Sequence, residues 1–136
     1  MTISHCSVIQ IPKIIDPRGS LSFVESEKHL PFSINRIYYL YGVPEGASRG
    51  SHAHKDLHQL IIAVSGVFEV SLNDGRETRK ISLSSPDEGL YVCPMIWREL
   101  NNFSTDAVCL VLASHPYDEN DYFRNYKDFL AACNAK

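Results

Sequence analysis

The sequence predicts an all-β domain, a sandwich or barrel of short strands, followed by one C-terminal helix. Short runs rich in Val, Ile, Leu, Tyr and Phe recur over residues 3–115, and turn residues punctuate them. Only beyond residue 115 does the apolar period change to three and four. Many short strands at this spacing fit a sandwich or barrel better than a layered α/β fold.

Taken in order, residues 8–11 and 21–25 are the first expected strands, parted by the turn Asp16-Pro17-Arg18-Gly19. Arg36-Ile37-Tyr38-Tyr39-Leu40-Tyr41 follows, and Pro44-Glu45-Gly46 reverses the chain. Residues 58–64 and 67–72 come next. The second of these enters the clearest hairpin, because Asn73-Asp74-Gly75 tolerates the positive φ of a tight turn, and residues 79–83 return from it. Twist is expected to leave Phe68, Val70 and Leu72 on mixed faces. Residues 89–92 and 107–113 complete the set. Tyr122, Phe123, Tyr126, Phe129, Leu130 and Cys133 then recur at helical steps, which predicts an amphipathic helix over about 120–133. Asp118 or Asn120 would cap it, and it would pack outside the barrel or over its mouth.

No repeat, low-complexity segment or linker divides the 136 residues, so a single domain over 1–136 is expected. Thirteen Lys+Arg against sixteen Asp+Glu leave a net charge of −3, which provides no sequence-independent grip on nucleic acid or on an anionic bilayer. The longest apolar run, residues 107–113, falls far short of the ~20 residues that span a membrane. Residues 1–12 lack the basic and apolar blocks of a secretory signal. Cys6, Cys93, Cys109 and Cys133 form no C-x-x-C pair and read as thiols of a reducing cytoplasm.

Chemistry concentrates in Arg49-Gly50-Ser51-His52-Ala53-His54-Lys55-Asp56-Leu57-His58-Gln59. In an extended segment His52 and His54 share a face, with the small Ala53 turned away. Two imidazoles of ordinary pKa ~6.5 side by side can hold one proton between them and serve as base and acid. The same spacing also suits two ligands to Zn, Fe, Ni or Mn, with His58 as a third. The plain reading of His58 is a strand-start residue hydrogen-bonded to a loop, and His5 and His29 read as terminus or loop residues. In residues 36–41, either Tyr39 and Tyr41 or Tyr38 with Arg36 face the interior. A tyrosine there is core by default, or a phenol that binds a sugar hydroxyl or relays a proton. Arg18, Arg49 and Arg98 stand in turn-like or strand-end settings, and several guanidinium groups in one pocket would suit a diphosphate. Trp97 reads as core, with stacking on a base as the alternative.

Five stretches carry a resemblance over nearly the whole chain. They are Asp16-Pro17-Arg18-Gly19-Ser20-Leu21, Arg36-Ile37-Tyr38-Tyr39, Arg49-Gly50-Ser51-His52-Ala53-His54-Lys55, Gly89-Leu90-Tyr91-Val92-Cys93-Pro94 with Trp97, and Val111-Leu112-Ala113-Ser114 followed by Tyr117-Asp118-Glu119 and Asp121-Tyr122. The sequence resembles the sugar-nucleotide 3,4-ketoisomerases, small cupins that act on dTDP-4-keto-6-deoxyglucose. The resemblance implies a cupin-type β-barrel, or jelly roll, that forms an intertwined homodimer and needs no metal or other cofactor. It implies His52 as catalytic base, His54 as its partner and Tyr38 near the sugar. Arg18 and Arg98 match the sugar pocket, and Arg49, Lys55 and Trp97 are read with them as substrate-binding. The product would be a 3-keto sugar on the way to an unusual deoxy or 3-amino sugar of lipopolysaccharide or S-layer glycans.

The chain departs from the resemblance at His58, where related sequences often carry an acidic residue or glutamine. A metal-binding cupin normally adds a histidine from its second half, yet residues 89–98 contain none and His115 is the only one downstream. The rival expectations are a metal-dependent cupin using His52, His54 and His58, a 3,5-epimerase, and a sugar-nucleotide binding module.

Overall fold

The seventh strand shows how side-chain alternation builds the barrel. In β7 (Phe68–Asn73), Phe68, Val70 and Leu72 are fully buried while Glu69, Ser71 and Asn73 stay half-exposed. The three apolar residues therefore share one face, which corrects the expectation of mixed faces. Twist rotates a strand gradually, and only a register shift or bulge moves alternate residues to the other side.

The computed structural model describes residues 2–135, so Met1 and Lys136 lie outside the described residues. One five-stranded sheet has the order β1 (Ser7–Gln10), β9 (Glu88–Val92), β6 (Gln59–Ser65), β11 (Val108–Ala113), β4 (Arg36–Tyr41). The other runs β12 (Tyr122–Phe123), β5 (Arg49–His54), β10 (Trp97–Asn101), β7, β8 (Thr78–Leu83). A separate hairpin joins β2 (Lys13–Asp16) to β3 (Gly19–Ser22), and the ladders are antiparallel. The inner faces of the two large sheets meet over a core that includes Phe68, Val70, Leu72, Leu90, Val92 and Val111.

β4 falls where the apolar pattern puts it, and β6 to β9 and β11 differ from expectation by a residue or so at their ends. β3 starts and ends earlier than residues 21–25, and β2, β5, β10 and β12 have no counterpart among the expected strands, although residues 52–54 are read as extended. The predicted turn after β7 is present: Gly75 has φ +93°, and its N–H donates to Asn73 Oδ1 at 2.7 Å.

The helix is shorter than predicted. Asp118 caps a three-residue 3-10 turn, Glu119–Asp121, by accepting the Asn120 N–H, and Tyr122 and Phe123 then pair with His54 and Ala53. α1 (Tyr126–Asn134) starts only after Asn125, whose side chain accepts the N–H groups of Lys127 and Asp128. Apolar period alone cannot separate this arrangement from a longer helix, because the exposed edge of β5 offers residues 122–123 main-chain partners. The helix lies outside the barrel, where fully buried Phe129 clusters with Ala53, Met95 and Trp97.

Candidate active site

The site is built on β5, whose local sequence suits it to line a cavity. Gly50 has φ +69°, and a Cβ there would stand 2.9 Å from Leu100 Cδ1, so a side chain would meet both backbone strain and a clash. The register of β5 against β10 shifts just beyond this point, between Arg98 and Leu100. Ala53 then turns outward beneath α1, and its small side chain lets Phe129 pack closely over the strand. His52 and His54 turn inward together, with ring centroids 4.8 Å apart.

A cavity of about 260 Å³ opens between the two sheets. His52 lines it from β5, Arg98 from β10, Gln59 from β6, Arg36 and Tyr38 from β4, and Tyr122 from β12. Arg98 sits directly opposite His52 in the ladder. Along β4, Arg36, Tyr38 and Leu40 point inward while Ile37, Tyr39 and Tyr41 are exposed, which decides between the two tyrosine sets.

Arg98 is only 1% exposed and makes no ion pair among the described residues. Its Nε donates to Ile96 O at 3.1 Å and its Nη1 to Gln59 Oε1, while Nη2 has no protein partner. Gln59 passes the orientation on, since its Nε2 donates to the Tyr38 hydroxyl at 3.0 Å. That bond uses a Tyr38 lone pair and leaves the phenolic O–H available to the cavity. Burial raises the Tyr38 pKa, so the group remains a phenol at neutral pH.

Burial, followed by the positive field of Arg98, Arg124 and Arg36, pushes the His52 pKa down to about 3. His52 is therefore neutral in the free protein, and its buried Nε2 has no hydrogen-bond partner. His54 is 1% exposed, and its Nδ1 lies 3.0 Å from Asp121 Oδ2. Burial first, then Arg98 and His52, also lower its pKa. The contact with Asp121 is accordingly a hydrogen bond from a neutral ring rather than an ion pair.

Of the residues singled out in the sequence, His52, Tyr38, Arg49 and Arg98 line the cavity. His54 contacts the rings of His52 and Tyr122 and lines a smaller recess with Asp121. Lys55 is outside, its Nζ donating to Asn120 O at 2.9 Å and lying over the Phe123 ring, so it fastens the 119–123 segment. Trp97 faces away from Arg98 because the two are adjacent on a strand, and it packs against Tyr126 and Phe129. This is the core reading of Trp97 rather than a place in the cavity. Arg18 projects from the tip of the β2–β3 hairpin, paired with Asp16, outside the cavity of its own chain.

His58 departs from the three-histidine grouping. Its Nδ1 is 2.6 Å from the Tyr91 hydroxyl, its ring stacks near Phe32, and its N–H bonds Ser114 Oγ. Among the described residues, no three His, Cys, Asp or Glu side chains converge as a metal-ligand group.

Sequence reasoning did not single out Arg36, Gln59, Tyr122 or Arg124 as site residues. Gln59 closes the histidine-rich stretch, and Arg36 was paired with Tyr38, so both left a trace. Tyr122 and Arg124 were hidden by the helical reading. Arg124 stacks on Tyr122 with its guanidinium 4.0 Å from the ring centroid, and Glu119 holds it at 2.8 Å.

An antiparallel jelly roll with inward histidines and a buried, unpaired guanidinium defines a cupin-type barrel with a cation-rich pocket. Residues 4–134 match the family described as FdtA: WxcM-like, C-terminal. The chain belongs to this family, is a sugar-nucleotide 3,4-ketoisomerase, and is thus an isomerase. A TDP-4-oxo-6-deoxy-alpha-D-glucose-3,4-oxoisomerase from Aneurinibacillus thermoaerophilus is 48% identical over 122 residues, 90% of this chain and 88% of that protein. The solved structure of the WlaRB TDP-quinovose 3,4-ketoisomerase from Campylobacter jejuni is 46% identical, with a TM-score of 0.91 over 95% of this chain and 99% of that one. A histidine-to-asparagine mutant of the QdtA 3,4-ketoisomerase from Thermoanaerobacterium thermosaccharolyticum, in complex with TDP-4-keto-6-deoxyglucose, is 37% identical. Its TM-score is 0.94, over 96% of this chain and 95% of that one.

Proposed function

We propose that the chain converts dTDP-4-keto-6-deoxyglucose to the 3-keto sugar, with His52 as the base. The observation that carries the assignment is a neutral, unpartnered imidazole facing a cavity beside a buried guanidinium that has no carboxylate. The C3 hydrogen of a 4-keto sugar is acidic because the carbonyl accepts the electron pair. His52 takes this proton, the C3–H pair forms a C3–C4 double bond, and the C4 carbonyl pair moves onto O4. Arg98 Nη2 and the Tyr38 O–H are the donors that stabilise the enediolate. Tyr38 gives its proton to O4 and receives the one from O3. His52 returns its proton to C4 as the C3 carbonyl forms, so every proton is accounted for and no redox partner is needed.

Substrate acts on the depressed pKa of His52. Part of the depression comes from Arg98, Arg124 and Arg36, and an incoming diphosphate offsets that field. The base thus strengthens when substrate binds. At about 260 Å³ the cavity is smaller than the ~300–1,000 Å³ of sites that enclose a whole drug-sized ligand, so it takes the hexose. The diphosphate then lies toward Arg49 and Arg124, and the nucleoside lies beyond them.

The working unit is a homodimer of single-domain chains. The outward face of β4 exposes Ile37, Tyr39 and Tyr41, and the β2–β3 hairpin exposes Ile14, Ile15 and Leu21. Large apolar side chains exposed in neighbouring positions of this kind mark a surface for a partner. A hairpin that crosses to the partner covers such a surface and brings Arg18 to the partner's sugar pocket. The cytoplasm is the compartment we propose, and the buried free thiols of Cys6, Cys93 and Cys109 support it. Among the described residues no helix is long and apolar enough to cross a membrane.

The His52→Asn variant tests the assignment. It is expected to bind the sugar nucleotide with near-native affinity while turnover, followed by NMR of the sugar ring, falls by about 10²–10⁴. Near-normal turnover would remove His52 from the base role.

A further inference from the structure

The steps above leave one half-buried carboxylate, that of Asp121, without a role, and it is fixed to the histidine strand. Register puts Tyr122 opposite His54, so Asp121 follows the last rung of the β12–β5 ladder. Its carbonyl accepts the Lys55 N–H at 2.9 Å, and its Oδ1 accepts the Asp56 N–H at 2.8 Å. Its Oδ2 is thereby held 3.0 Å from His54 Nδ1. The 3-10 turn that ends at Asp121 is itself capped by Asp118. Among the described residues no other cluster outside the cavity combines a titratable pair with an unpartnered buried atom: across its ring from Asp121, His54 Nε2 is buried without a partner.

We propose that Asp121 is a positioning residue for the isomerisation, holding His54 as the Nδ1–H tautomer so that Nε2 keeps its lone pair in the interior beside His52. The inference rests on the reading of His52 as the base. An ionised carboxylate only accepts, so a neutral ring that faces it must donate from Nδ1 and leave Nε2 bare. An imidazole lone pair buried 4.8 Å ring-to-ring from His52 favours the imidazolium that His52 becomes on taking the C3 proton. An N–H at the same place opposes it. The carboxylate acts only through His54, since it does not line the sugar cavity.

Asp121→Asn tests this with little change of shape. The amide oxygen still takes the Asp56 N–H, while the amide NH₂ faces His54 Nδ1, which must then accept and move its proton to Nε2. Histidine-labelled protein, with the His54 signals assigned by their loss in His54→Asn, reads the tautomer directly through long-range ¹⁵N–¹H correlations. The wild type is expected to show Nδ1–H and the Asp121→Asn variant Nε2–H. The kcat is expected to fall about 10–100-fold with KM little changed, in keeping with other orienting hydrogen bonds to functional histidines. In a His54→Asn background the same substitution is expected to cost nothing further.

A wild-type Nε2–H signal overturns the proposal even if the variant fails to fold. A kcat within about twofold of wild type, or an undiminished loss in the His54→Asn background, overturns it as well. Near-normal turnover in His52→Asn would instead strike the reading of His52, while the tautomer measurement still tests the link between Asp121 and His54.

Discussion

Burying a guanidinium without a counter-ion costs several kcal/mol, and Arg98 carries that cost with Nη2 unsatisfied. Such a group is a poor device for stability and a good one for meeting negative charge that develops in the cavity. Arg98→Met is therefore expected to lower kcat by about 10²–10³ while the fold survives, as measured by NMR turnover and thermal melting. Unchanged kcat would remove Arg98 from enediolate stabilisation. His52 leads to a second expectation. Its folded pKa, about 3, lies below the unfolded ~6.5, so between those values the unfolded chain binds more protons. Stability is complete above about pH 6.5 and declines as pH falls toward 3, by at most about 1.4 kcal/mol per pH unit for one histidine. Denaturant midpoints measured across that window are expected to decline less steeply in His52→Asn than in the wild type, and identical slopes would contradict the assignment. The histidine pair was legible from two-residue spacing alone. Arg124 was not, and Arg36, Gln59 and Tyr122 left only a trace, because they come to the cavity through pairings between distant strands.

At the scale of elements, strands were legible where the apolar pattern is plain and obscure where chemistry has displaced apolar residues. β4 reads directly from Arg36-Ile37-Tyr38-Tyr39-Leu40-Tyr41, with alternate residues in and out. β5, Arg49–His54, and β10, Trp97–Asn101, hold the inward histidines and the buried arginine, so neither presents an apolar face to the pattern. The β2–β3 hairpin carries Arg18 away from its own cavity, and in the proposed crossed dimer that placement becomes productive. Arg18→Ala and His52→Asn, each impaired alone, are then expected to complement when co-refolded. A mixed dimer rebuilds one native site, and the mixture recovers up to about a quarter of wild-type activity. No recovery in dimers shown by native mass spectrometry to be mixed would contradict the crossing.

For the whole molecule, the jelly roll brings residues from both sheets to one cavity, and α1 packs against the histidine strand from outside. A sandwich or barrel and the shared face of His52 and His54 were readable in advance, because alternation and spacing are local properties. Where the helix starts and which arginines share the pocket depend on edge pairing, which no local pattern encodes. The central claim is a proton transfer from C3 to C4 through an enediolate, and incubation with dTDP-4-keto-6-deoxyglucose in D₂O, read by NMR of the sugar ring, tests it most directly. A 3-keto product with its new C4 hydrogen partly replaced by deuterium is the predicted result. Deuterium at C3 and C5 with the keto group still at C4 would instead show an epimerase and contradict the account.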